Sequence, residues 1–529
     1  MVVPELRPWQ AARAHAARLA DAVRPRLARA AAAAKPRVAR FAGAGKPQVA
    51  RVTRPKTWQY TAGAATAGLA LAAGVVTAVG PWDSSGQRTA ERDRAVALDR
   101  AGGTDHGGAP GTPARSRPAP SAGPVLTGLG GVSTVKSAPH GKALAKVLAP
   151  LLKDPALGPR PAASVIDVAT GRRLYGAHQD APFTPASTTK IATAVAALSA
   201  MGADHRLTTR AALEPDTKEV VLVGGGDPTL TARKQKTDDA ASLRTLAAET
   251  AAALAERGVR EVTLSYDTTR YAGSPRHPIG NNPNLALVSP LMADEGRTDD
   301  STSGPVTRVT DPAEDATRQF KDFLTSHGIK TTAPGPSKAT TRAETLAAVS
   351  SPPLSALVER MLTNSDNDIA EALARQTALA TGERADFAGA GRAIGAQLRA
   401  LGLPLKGAAF KDGSGLDRAG RLTPGLLTAL LAKAADPSRP ELRPALTGLP
   451  VAGFTGTLSS RYTDGASGVI RAKTGTLTGV HTLAGTLVDH DGRLLAFAFM
   501  ATDTDRIAPA ATQKALDRVA TTLAACGCR

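Results

Sequence analysis

At 529 residues the chain is too long for one ordinary domain, and a hydrophobic content of 42% is enough for a sizeable core. Aromatic residues make up only 3%, so Leu, Val and Ala must fill that core. The net charge of +19 is uneven: residues 1–57 carry a local +11, leaving +8 for the other 472, which argues against a nucleic-acid-binding face on the folded part. Residues 1–57, rich in Ala and Arg, read as a basic cytoplasmic tail lying in solvent or on a surface. From Thr57 to Trp82 no residue is charged, a run of 26. As a helix it would span ~39 Å, enough for a hydrocarbon core of ~30 Å. Trp58, Tyr60 and Trp82 lie at its ends, as interfacial aromatics would, and the basic flank places the N-terminus in the cytoplasm. We read residues 58–82 as a membrane anchor in preference to a cleaved signal segment, because the basic stretch before it is long for a signal. Residues 83–137, rich in Gly, Pro, Ser and Thr, read as a flexible linker.

The folded part is expected over residues 138–529. Ala143–Leu152 has helical spacing. Ser164–Val168 and Arg173–Gly176 read as a hairpin around the turn Ala169-Thr170-Gly171-Arg172. Val220–Val223 reads as a strand, Leu243–Leu254 as a helix, Glu261–Tyr266 as a strand and Phe320–His327 as a helix. We place these within an inserted module, residues 205–345, which divides a catalytic domain into residues 138–204 and 346–529. Asp366–Ala380 and Phe387–Ala400 read as helices. Val469–Ala472, His481–Val488 and Arg493–Ala501 read as successive strands, the last two joined by an Asp-Gly turn. Ala510–Ala524 reads as a closing helix. Both cysteines, Cys526 and Cys528, follow it, which excludes a disulfide framework and zinc-ligand spacing. A bridge between them would be strained, so two free thiols and an external partner stay equally open.

Three short motifs carry chemistry. Ser187-Thr188-Thr189-Lys190 opens a helical run, and a spacing of three puts Ser187 and Lys190 on one face. A hydroxyl needs a base to become a nucleophile, and a lysine one turn away can serve if its pKa is depressed. Ser365-Asp366-Asn367 precedes a helical pattern, and Lys473-Thr474-Gly475-Thr476 sits in a strand-like segment. S-x-x-K, S-D-N and K-T-G in this order form the set used by penicillin-binding proteins and class A β-lactamases. The glycine run Gly224-Gly225-Gly226 lacks the Gly-Lys-Ser/Thr of a phosphate loop and reads as a turn. No metal or cofactor motif is present. Ser365 alone would pass for a helix cap and Thr474 for an ordinary strand residue. Asp412 and Asp417 read as turn residues, and His205, His277, His327 and His481 as structural or surface histidines.

Further stretches widen the match: Val223-Gly224-Gly225-Gly226-Asp227-Pro228-Thr229, Asp412-Gly413-Ser414-Gly415-Leu416, Gly456-Thr457-Leu458, and Ala472 through Val480. With these, residues 141–525 resemble the class C low-molecular-mass penicillin-binding proteins, the D-alanyl-D-alanine carboxypeptidase/endopeptidase family. That family also carries an insertion between the serine motif and S-x-N. The 178 positions from Ser187 to Ser365 are few for members with two extra modules, and Gly420 stands where members often have Asn. The resemblance implies an α/β, penicillin-binding-protein/serine β-lactamase-like transpeptidase fold: an antiparallel sheet flanked by helices, beside a helical lobe. It implies that Ser187 is the acylated nucleophile, Lys190 its base, and Ser365 the proton relay to the leaving amine. Asn367 would hold the substrate amide. Lys473 would complete the proton network and attract the terminal carboxylate, which the segment Thr474-Gly475-Thr476 would bind through its two hydroxyls. The N–H groups of Ser187 and Thr476 would form the oxyanion hole.

These roles imply a serine DD-peptidase acting on peptidoglycan stem peptides, with β-lactams as covalent inhibitors, no nucleic acid partner and no cofactor. The catalytic part would lie outside the cell membrane, or be secreted if residues 58–82 are cleaved. A β-lactamase is the second reading, but no E-x-x-L-N pattern lies between Asn367 and Lys473. A non-catalytic wall protein is the third, and the intact Ser187, Lys190, Ser365 and Lys473 speak against it.

Overall fold

The computed structural model describes residues 141–529, apart from 235–239, 333–334, 463–464, 507 and 528–529. The tail, the uncharged run, the linker and Cys528 therefore lie outside the described residues. Cys526 is disulfide-bonded, so it is not a free thiol. Among the described residues no helix is long and apolar enough to cross a membrane.

The elements run α1 (Gly141–Leu151), β1 (Ala162–Asp167), β2 (Arg173–Ala177), α2 (Thr189–Met201), β3 (Thr208–Leu213), β4 (Glu219–Val223), α3 (Leu243–Glu256) and β5 (Glu261–Asp267). There follow α4 (Pro312–Ser326), β6 (Lys330–Thr331), β7 (Gly335–Pro336), β8 (Glu344–Ser350), α5 (Leu354–Asn364), α6 (Asn367–Ala380), α7 (Phe387–Ala400) and α8 (Pro424–Ala434). β9 (Ile470–Leu477), β10 (Val480–Val488), β11 (Leu494–Thr502) and α9 (Pro509–Ala525) close the chain.

The first sheet has the order β2-β1-β11-β10-β9 and is antiparallel throughout. Side chains alternate across a strand, so the sheet sorts residues by size between two buried faces. From β11, Leu495, Phe497, Phe499 and Ala501 enter a core with α1 and α9, where the two phenylalanine rings stack at 5.1 Å. Ala496, Ala498 and Met500 face a second core built by α2 and by α5 to α8. Small side chains on that face let helices lie close to the sheet. α2 is buried at every position from Thr189 to Leu198, as an alanine-rich helix at the centre of a lobe must be.

The second sheet is built from residues 208–350, in the order β6-β5-β4-β3-β8 with β7 beside β5. β4, β5 and β6 are parallel, joined by the crossover helices α3 and α4, which cover a separate core. Its first and last long strands, β3 and β8, are antiparallel neighbours, with Thr208 opposite Ser350. The chain thus leaves and rejoins the helical lobe at one place, which lets an insertion be tolerated without opening the surrounding fold.

Several expected elements move. The helix expected from Phe320 begins at Pro312, with Asp311 capping the Ala313 and Glu314 N–H groups. That cap followed by proline is a start signal, but the polar turn behind it hid the pattern. β3, β8, α5 and α8 were not read from the sequence. α8 too is announced by a capping Thr423 and a first-turn Pro424.

Candidate active site

The segment Ala186–Thr188 forms a single 3₁₀ turn, and α2 proper starts at Thr189. Ser187 therefore sits one turn ahead of the helix. Ala186 holds φ 47°, a left-handed conformation costly for a residue with a Cβ. Two glycines of the later motifs meet this turn. A Cβ on Gly415 would lie 1.9 Å from the Ala186 carbonyl oxygen. One on Gly475 would lie 2.1 Å from Thr482 Oγ1 and 2.9 Å from the Pro185 carbonyl oxygen. Gly475 was expected among the substrate-binding residues; in the structure it lets β9 approach the nucleophile turn. The Thr482 hydroxyl on β10 fastens that turn by donating to the Pro185 carbonyl at 2.9 Å.

Lys190 is fully buried, and its Nζ lies 3.1 Å from Ser187 Oγ, 2.7 Å from Asn367 Oδ1 and 2.8 Å from the Ser414 carbonyl oxygen. A neutral amine has two N–H groups and one lone pair. Two carbonyl acceptors use both N–H groups and leave the lone pair for the Ser187 hydroxyl. Burial pulls the Lys190 pKa down to about 8, against the charges of Asp412, Glu371, Asp366 and Asp368. Lys473 is also fully buried and held well below its ordinary value, by burial and then by the Lys190 charge. The Lys473 Nζ donates to the Thr474 carbonyl at 3.0 Å.

S-D-N spans the junction of two helices. Ser365 ends α5 in a left-handed conformation, φ 59°, and Asp366 caps α6 through the Ile369 N–H at 3.0 Å. Asn367 Nδ2 donates to the Asn284 carbonyl at 2.9 Å, which turns Oδ1 toward Lys190. Ser187, Ser365, Asn367, Thr474 and Thr476 line one cleft of about 520 Å³, together with Asn282, Asn284, Arg297 and Arg308 from the inserted segment. β9 is an edge strand: its outer side bonds to residues 450–452 at Ile470 and Ala472, and its stretch Thr474–Leu477 borders the cleft, where a ligand strand could pair. The Thr474 hydroxyl donates to Thr457 Oγ1 at 2.9 Å.

The sequence reading missed a buried charged cluster behind Lys190. Glu371, one turn along α6 from Asn367, accepts the Gly413 N–H at 3.1 Å and the Ser414 N–H at 2.9 Å. Asp412 accepts the Ser414 hydroxyl at 3.1 Å and the N–H groups of Gly415 at 2.9 Å and Asp417 at 2.8 Å. His277 Nε2 lies 3.1 Å from the same carboxylate. Burial would raise the Asp412 pKa, but His277 and the backbone donors outweigh it and hold the group low. Burial and the Asp412 charge push Glu371 up. Burial disfavours the His277 imidazolium, yet the Asp412 hydrogen bond and the charges of Glu371 and Asp412 hold its pKa above the ordinary value. Together these groups shape residues 412–417 so that the Ser414 carbonyl faces Lys190. Asp412 is thus more than a turn residue. The spacing of Glu371 from Asn367 was the one local signal for this cluster.

The family described as D-Ala-D-Ala carboxypeptidase 3 (S13) matches residues 144–304 and 292–523. A Mycobacterium tuberculosis protein named as a carboxypeptidase is 35% identical over 429 residues, covering 78% of this chain and 90% of that one. Carboxypeptidase DacB of Mycolicibacterium smegmatis is 36% identical over 431 residues, with the same coverage of 78% and 90%. Among solved structures, penicillin binding protein 4 of Haemophilus influenzae superposes with a TM-score of 0.57 at 20% identity, covering 71% of this chain and 98% of that one, which shows a shared fold.

Proposed function

Because the chain belongs to the D-Ala-D-Ala carboxypeptidase 3 (S13) family, we propose a reaction path for a serine DD-peptidase that works on peptidoglycan peptides through an acyl-enzyme on Ser187. The observation that carries the path is the Lys190 amine, 3.1 Å from Ser187 Oγ and pulled down to about 8. Neutral Lys190 takes the Ser187 proton as Oγ attacks the carbonyl carbon of the penultimate D-alanine. The Ser187 and Thr476 N–H groups hold the resulting oxyanion, each donor being worth about 2.7–4 kcal/mol. Ser365 passes a proton to the leaving nitrogen and the C–N bond breaks. Water then attacks the ester and frees Ser187. Asn367 holds the substrate amide, while Lys473 and the hydroxyls of Thr474 and Thr476 receive the terminal carboxylate.

β-Lactams enter the same path as amides whose leaving group stays tethered, and so remain bound. A β-lactamase needs a base free to activate water, whereas the Glu371 carboxylate is engaged by the Gly413 and Ser414 amides. The uncharged run before Trp82 would anchor the catalytic part outside the membrane. The test is Ser187→Ala, with covalent labelling by a fluorescent penicillin and product masses from cross-linked muropeptides. The variant should keep its unfolding transition and lose both label and products. Label retained on folded Ser187→Ala would refute the assignment.

A further inference from the structure

The inserted segment holds the S-D-N turn from behind. Besides the Asn284 carbonyl on Asn367, the Ala286 N–H donates to Asp368 at 2.9 Å, and Arg308 pairs with the same carboxylate at 2.9 Å. A further contact comes from Glu295, which is 1% exposed. Three successive left-handed residues carry it inward: Asp294 at φ 51°, Glu295 at 57° and Gly296 at 61°. Two of these have a Cβ, and such backbone persists only where the surroundings impose it. Glu295 Oε2 accepts from Arg297 Nε at 2.8 Å, and Oε1 accepts from Arg360 on α5.

Arg360 also faces Asp366 Oδ2, at 3.9 Å. That oxygen is buried and receives no hydrogen bond, although its partner Oδ1 caps α6. Carboxylate oxygens of Glu295, Asp366 and Asp368 lie within 4.8 Å of one another. Three guanidiniums, those of Arg297, Arg308 and Arg360, face at most three carboxylates here, so the cluster has no net negative charge to attract a cation. What Asp366 Oδ2 lacks is a donor, and a neighbouring carboxyl proton is one. Burial and then the Asp366 charge, against Arg360, push Glu295 up to about 8, so it carries that proton at neutral pH.

We propose that Glu295 is a positioning residue for Ser365: its carboxyl O–H donates to Asp366 Oδ2 and locks the left-handed Ser365 at the floor of the cleft. This rests on the reading of Ser365 as the proton relay. Above about pH 8 the proton leaves, two buried anions then face each other, and the S-D-N turn loosens.

The experiment measures the second-order rate of acylation by a fluorescent penicillin from about pH 6 to about pH 10. It compares wild type, Glu295→Gln, Glu295→Ala, Ser365→Ala and the Glu295→Ala/Ser365→Ala double variant. Gln keeps a neutral N–H donor and cannot ionise. Glu295→Ala should lose about tenfold to about a hundredfold, the cost of a displaced catalytic group. Glu295→Gln should restore most of that loss and lack the wild-type fall above about pH 8. Glu295→Ala should add little to Ser365→Ala, because both act through one hydroxyl. A Gln variant as slow as the Ala variant, or one keeping the wild-type alkaline fall, overturns the proposal. The alkaline comparison of wild type with Glu295→Gln decides it even if the Ala variant does not fold. Wild-type acylation by Ser365→Ala would instead overturn the relay reading, and the proposal with it.

Discussion

Replacing Asp412 by Asn tests whether Lys190 works as a neutral base. Burial brings Lys190 from 10.5 down to about 8, and the Asp412 carboxylate is the largest charge opposing that fall. At pH 7 a lysine titrating at about 8 is neutral in roughly one molecule in eleven, and an unperturbed one in roughly one in three thousand. Burial thus raises the supply of base on the order of 300-fold, and acylation should rise about tenfold per pH unit until it flattens near the lysine pKa, ahead of the alkaline fall tied to Glu295. Asp412→Asn removes the leading opposing charge, so the acid limb should shift to lower pH. Its plateau should drop, because Asn cannot replace the carboxylate toward His277, Ser414, Gly415 and Asp417 alike. Lys473→Met should lower the plateau, because Lys473 receives the substrate's terminal carboxylate. Lys190→Arg should be nearly inactive, since a guanidinium stays protonated. The assay is the acylation rate constant against pH for each variant. An Asp412→Asn limb at or above the wild-type pH, or near-normal acylation by Lys190→Arg, refutes the neutral-lysine base.

Gly475→Ala should destabilise by about 1–3 kcal/mol and slow acylation, because its Cβ would enter the space of Thr482 and Pro185. Thermal unfolding and penicillin labelling read both effects, and unchanged values would remove the close-approach argument. Thr474→Val should raise KM for a peptide ending in a free carboxylate by about tenfold, the scale of one lost hydrogen bond to a charged group. An equal effect on the C-terminally amidated peptide would show that Thr474 does not read the carboxylate. Residues 138–529 alone should be soluble, unfold cooperatively and label with penicillin; aggregation would show the domain boundary to be misplaced.

The parts of the site legible in the sequence are those whose chemistry is local. Ser187 and Lys190 are three positions apart, and S-D-N and K-T-G are single stretches, so residue type and spacing suffice. The supporting charges are legible only in space. His277 meets Asp412 across 135 positions, and Arg360 meets Glu295 across 65. Nothing in the flanking residues marks either pair. The packing role of Gly475 was hidden for a related reason: its motif points to substrate, and only the fold shows what a Cβ there would strike. Among the elements, β11 was legible as an unbroken apolar run. β8, Glu344–Ser350, was not, because most of its side chains are only partly buried or exposed, and no alternation survives.

The pairing of β1 with β11 sets an order on how the protein comes together. Ala162 lies opposite Met500, so the middle of the first sheet joins residues 338 positions apart. A chain appearing N-terminus first cannot complete that sheet until β11 is available. β9 and β10, which present Lys473 and fasten the Ser187 turn, belong to the same late segment. Residues 208–350 have their own sheet and their own core, and can close earlier. The Asn284 carbonyl and the Ala286 amide belong to that earlier part, whereas Glu295 takes its partner Arg360 from α5. The cleft would be assembled around a wall already built, and acylation would become possible only once β9 to β11 are in place.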